Sequence, residues 1–110
     1  MRTQASHSDI SGQERYGFRM ELTSLPGHEL VLAGLDDLAN GVESQEALLV
    51  SIGAPRLLRA GIDVPEPLAS PEHRLYERLA AEDSDSAHGR YNALVRRLVS
   101  FERAADARTR

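Results

Sequence analysis

A chain of 110 residues, 41% of them hydrophobic, is one domain's worth of sequence, long enough to bury roughly two-thirds of its unfolded surface without cross-links. With no Cys, it excludes a disulfide framework, a thiolate nucleophile and a thiolate-held metal, and it fits a cytoplasmic setting. The formal net charge of −4 repels phosphate backbones at long range, and no window is apolar for long enough to be a signal peptide or a membrane span.

The charge is segregated. Residues 1–26 are net zero, residues 27–85 carry −8 and residues 86–110 carry +4. The simplest physical consequence is a basic last segment packed beside acidic earlier ones.

Residues 1–14 are polar, with Ile10 the only large aliphatic side chain after Met1, and read as a disordered tail. Residues 15–110 read as a single helical domain opened by an extended arm. In that arm Tyr16, Phe18, Met20 and Leu22 alternate with polar residues or glycine over 15–23. A period of two is the pattern of a short strand with one buried face. A lone strand in a helical chain needs a partner for its backbone, so these four residues form a candidate strand-pairing arm, suited to a homodimer or to another protein's sheet edge.

Leu25-Pro26-Gly27 is a break. The spacing from His28 to Asn40 then predicts a helix ended by Asn40-Gly41, with Val42 placed for the closing hydrophobic contact. Ser44 is placed to cap a second helix, 44–60, carrying Ala47, Leu48, Leu49 and Ile52 and kinked or broken by Pro55 near Gly53-Ala54; Pro55 can itself start a short turn of helix carrying Leu57 and Leu58, closed by Gly61. Residues 62–69 hold two prolines and read as an extended connector. Ser70-Pro71-Glu72 predicts the start of a third helix over 71–82, burying Leu75, Tyr76 and Leu79.

The last helix, 85–106, is the longest uninterrupted pattern. Ala87, Tyr91, Leu94, Leu98, Phe101 and Ala105 keep one stripe, widened by Val95 and Val99, which suits a helix docked in a bundle. Its other face carries Arg90, Arg96, Arg97 and Arg103, a candidate interaction surface. Arg103 has Asp106 three residues on, whereas Arg90, Arg96 and Arg97 have no acid three or four places away. Their partners must lie elsewhere in the fold, on another molecule or in water. Together these elements predict an all-α domain, a compact bundle of about four helices.

Chemistry-bearing motifs are sparse. No G-x-S-x-G elbow or phosphate loop is present, and no catalytic residue or cofactor is expected. His73, Asp83, Asp85 and His88 flank the turn before the last helix but lack metal-ligand spacing, and polar caps explain them better. No metal is expected either. Arg90, Tyr91, Asn92 and Arg96 can bind a small anion, although Tyr91 belongs to the core stripe.

The layout RYGFRMELT, then LPGHEL opening one helix and NGVESQEALLVSI opening a second, resembles the ribbon-helix-helix DNA-binding fold over at most residues 15–60. That resemblance implies a dimer whose paired strands enter the major groove, with Arg15, Arg19, Glu21 and Thr23 facing the bases. Gly17 in the strand, Pro55 in the second helix, the long C-terminal half and the negative charge depart from it. The favoured reading is a non-enzymatic protein-interaction module, a small bacterial-type adaptor or antitoxin-like protein that engages itself or a protein partner. Nucleic acid is the less favoured ligand, and no membrane is involved.

Overall fold

The computed structural model describes residues 21–108, whose regular structure is all α-helical. Five helices are bounded within it: α1 (His28–Ala39), α2 (Gln45–Ile52), α3 (Ala54–Arg59), α4 (Pro71–Glu82) and α5 (Ala87–Arg108). Among the described residues none is in a strand.

α2 is the hub. Ala47, Leu48, Leu49, Val50 and Ser51 are buried in succession, because α1, α4, α5 and α3 all pack against it. Ser44 caps it as expected, its Oγ accepting from the Ala47 N–H at 3.0 Å while its hydroxyl donates to Asp37 of α1. Ser51, 6% exposed, donates to the Ala47 carbonyl at 2.8 Å and accepts from the Leu68 N–H at 2.9 Å. This pins the connector to the core, where Ile62 and Val64 are also buried.

α1 buries Val31, Gly34 and Leu38. At Gly34 the two helices touch backbone to backbone: a Cβ there would overlap the Glu46 carbonyl and lie 2.8 Å from Val50 Cγ1. α1 ends at Gly41 (φ 71°), where the Val42 N–H reaches the Asp37 carbonyl at 2.8 Å and the Gly41 N–H reaches Leu38 at 3.1 Å. The backbone stop forms as expected, but Val42 stays 47% exposed and adds little hydrophobic contact.

Several expectations are corrected. Over 44–60 the chain takes the break rather than the kink, two helices with Gly53 between them, since Pro55 has no N–H to continue the ladder and fits the first turn of a new helix. Ser70 is left-handed (φ 47°) and its side chain does not cap α4, which begins with the Arg74 N–H bonded to the Ser70 carbonyl. Tyr76 is 39% exposed rather than buried, leaning on Tyr91 with ring centroids 5.8 Å apart. Leu75 and Leu79, one turn apart, are the buried pair, and Tyr76 lies about 100° around the helix from Leu75. The last helix starts at Ala87, because the Asp83 carboxylate turns the chain back onto the Asp85 N–H at 3.2 Å, and it runs on to Arg108.

Of the expected strand over 15–23, only residues 21–23 are described. Glu21 and Leu22 are helical and Thr23 lies in a turn. Leu22 is 1% exposed in the core, so it is a packing residue and not part of a pairing edge. Tyr16, Phe18 and Met20, like the tail over 1–14, lie outside the described residues.

Candidate functional site

α5 docks through Ala87, Leu98, Phe101 and Ala105, all buried, with Tyr91, Leu94 and Val95 partly buried beside them. The stripe read from the sequence is the one that packs. Glu102 apart, the charged side chains of this helix are aimed at its flanks or at solvent, and the four arginines divide into two pairs.

Arg90 reaches Glu82 at the end of α4 at 2.8 Å, and Arg97 reaches Glu29 in the first turn of α1 at 3.0 Å. Both acids are distant in sequence and come from the acidic middle of the chain, as the charge segregation implies. All four side chains are substantially exposed, so each pair contributes on the order of 0.5 kcal/mol. Arg108 and Glu21, 3.3 Å apart, make a third such tie. Arg96 and Arg103 are exposed and form no ion pair among the described residues. Arg103 does not reach Asp106 despite the favourable spacing.

Ala93, Arg96, Arg97, Ser100 and Arg103 recur every three or four residues and share the outer face of α5. At one end this face meets the turn before α1 in a cleft of about 480 Å³, lined by Pro26, Gly27, Ala93, Arg96, Arg97 and Ser100. Gly27 makes the close approach possible. Its φ is 79°, and a Cβ there would stand 2.8 Å from the Arg97 carbonyl oxygen.

At the other end lies a second cleft, of about 410 Å³, that no spacing in the sequence announces. It is lined by Arg56, Arg59, Val99, Glu102, Arg103 and Asp106. Glu102 is its unusual member, a carboxylate 5% exposed whose Oε2 has no hydrogen-bond partner among the described residues. Arg56 Nε is 3.7 Å from Glu102 Oε1. Burial pushes the Glu102 carboxyl above its ordinary value, and the positive charges of Arg56 and Arg59 pull it partly back. Gly53 provides the space, since a Cβ there would lie 2.5 Å from Glu102 Oε2. The signal for Glu102 was present: it follows Leu98 by four and precedes Ala105 by three, which places it on the packing side of the helix. Nothing in the sequence brings Arg56 and Arg59 to it.

The His and Asp residues beside the last turn take local partners. His73 Nε2 is 3.2 Å from Glu77, and His88 Nε2 is 3.2 Å from Asn92 Nδ2. Among the described residues no three His, Asp or Glu side chains gather as metal ligands. Tyr91 is partly buried, and its hydroxyl is raised above its ordinary value by that burial and by the charge of Glu72. The Arg90–Tyr91–Asn92 group is thus spent on Glu82, the core and His88. No helix of the described residues is long and apolar enough to cross a membrane.

No protein-family model matches this chain, and no curated protein and no solved structure matches it either. The geometry of the two clefts and of the face between them therefore carries the functional reading.

Proposed function

We propose that the chain is a non-enzymatic protein-interaction module, an adaptor-type or antitoxin-like protein, and that the outer face of α5 receives an acidic segment of its partner. One observation supports this above the rest: Arg96 and Arg103 stand exposed on one face with no ion pair among the described residues, although the rest of the fold is rich in acids. A basic face on a net acidic chain favours a partner of opposite local charge and disfavours the wrong ones. Ala93 and Ser100 are small and exposed between the arginines, so a partner helix can lie close to α5 while its acids reach the guanidinium groups.

The test is charge reversal, Arg96→Glu with Arg103→Glu, followed by cross-linking in extracts of the source cells. The expected result is one or more proteins cross-linked through α5 in the wild type and lost from the double variant at an unchanged melting temperature. An identical cross-linking pattern in the two forms overturns the reading. So does salt-dependent binding of duplex DNA that the same variant abolishes, which reassigns the face to a phosphate backbone.

A further inference from the structure

The cleft between α3 and α5 is chemically unlike the outer face of α5, and only Arg103 belongs to both. Three guanidinium groups line it, Arg56 and Arg59 from the six-residue α3 and Arg103 from α5, against two carboxylates, Glu102 and Asp106. Arg59 and Arg103 form no ion pair among the described residues, and Arg56 has only the 3.7 Å approach to Glu102. The wall of the same cleft contains Glu102, 95% removed from solvent, with one carboxyl oxygen lacking any donor among the described residues. A buried acceptor without a donor is costly, and native folds seldom leave one unsatisfied without a reason. Its Oε2 lies against Gly53, so the oxygen nearer the arginines is Oε1, 3.7 Å from Arg56 Nε and with acceptor capacity to spare.

A ligand that satisfies this site must bring negative charge for Arg59 and Arg103 and a hydrogen-bonding group that complements the Glu102 carboxyl. An ionised carboxylate or a sulfate supplies acceptors only. A phosphate group with a free P–O–H supplies both. Its oxygens accept from the guanidinium groups, bidentately where the geometry allows. Its remaining proton sits between phosphate oxygen and carboxyl oxygen whichever of the two holds it, because the second pKa of a phosphomonoester is about 6 and that of the free ion is higher. The upward push on the Glu102 carboxyl is in keeping with such a shared proton. A phosphodiester, having no P–O–H, lacks this match.

We infer that the cleft between α3 and α5 is a binding site for a phosphate group with a free P–O–H, either inorganic phosphate or a phosphomonoester, held by Arg56, Arg59 and Arg103 and selected by Glu102. It rests on a different observation from the partner reading, the buried Glu102, and shares only Arg103 with it.

Titration calorimetry of the full chain at neutral pH tests it, with four probes: inorganic phosphate, N-acetyl-phosphoserine amide, inorganic sulfate and dimethyl phosphate. Phosphate and phosphoserine are expected to bind, with sulfate and dimethyl phosphate at least about tenfold weaker, the difference one charge-assisted hydrogen bond makes. Arg59→Ala with Arg103→Ala, both exposed and harmless to the fold, is expected to weaken phosphate by more than about tenfold. Glu102→Met, which fills the same space without the carboxyl, is expected to bind phosphate and sulfate alike. Tighter binding of phosphoserine assigns the site to a phosphorylated ligand or partner and tighter binding of phosphate to the free ion, and both support it. Equal binding of sulfate and phosphate to the wild type, no binding of either at 10 mM (about 3 kcal/mol of affinity), or arginine variants that bind like the wild type overturn it.

Discussion

α2 and α5 make opposite use of a helix. α2 has eight residues and hides five of them in a row, so almost every side is a packing side. α5 has 22 residues and fully buries five, strung along one stripe. The short helix therefore owes its stability to its neighbours, whereas the long one has a face free of structural duty. Change along α2 should register in the stability of the whole molecule, and change along the outer face of α5 should register only in what it binds.

The sharpest way to break that contrast is Gly34→Ala. Its new methyl group has to enter the α1–α2 contact against the Glu46 backbone, which cannot swing aside as a side chain does. We expect a loss of about 3 kcal/mol in urea unfolding, comparable to truncating a buried leucine such as Leu49. A loss below about 1 kcal/mol shows that the helices separate easily and that α2 is no hub. Ser51→Ala comes next. It removes the acceptor for the Leu68 N–H, and we expect a loss of about 1–3 kcal/mol, with amide exchange at Leu68 accelerated. An unchanged exchange rate removes the pin.

Glu102 lies where the two regimes meet, on α5 but buried. Its carboxyl is raised in the fold, so the folded state holds the proton more tightly than the unfolded chain. Its stabilising effect is complete below the unfolded carboxyl value and is lost as pH rises through the folded one. Glu102→Gln keeps the shape without the charge. It should melt a few degrees above the wild type at neutral pH, about 1 kcal/mol, and the gain should vanish near pH 4. A gain that does not shrink on acidification rules out the titration of Glu102 as its cause. The smallest effect belongs to Arg97 and Glu29. A double-mutant cycle on this exposed pair should return a coupling of about 0.5 kcal/mol or less, smaller still in high salt.

What the sequence discloses follows the same division. The stripe of α5 and the span of α4 were legible because each repeats a 3.6-residue period with start and stop signals beside it. The break at Gly53 was legible because proline chemistry is local. Gly34 was half legible, three residues after Val31 and four before Leu38, but only the crossing of α1 over α2 gives its missing side chain a meaning. The partners of Arg90 and Arg97 lie eight and 68 residues away, and no spacing rule reaches so far. The phosphate-suited cleft was illegible for that reason, since it joins residues of α3 to residues more than forty positions later. The alternation in 15–23 misled where it can be checked, because Leu22 fits an alternating pattern and a buried helical position equally well.

The tie between Glu21 and Arg108 has a topological consequence. The first and last stretches of the described chain lie side by side, with Leu22 and Ala105 both in the core. A few residues of glycine and serine can bridge the two, and new ends can be opened in the exposed turn at Asp83–Asp85. Such a rearranged chain keeps the five helices α1 to α5 and both clefts intact. By the same geometry the unit can be spliced into a loop of a host protein, carrying its basic face with it.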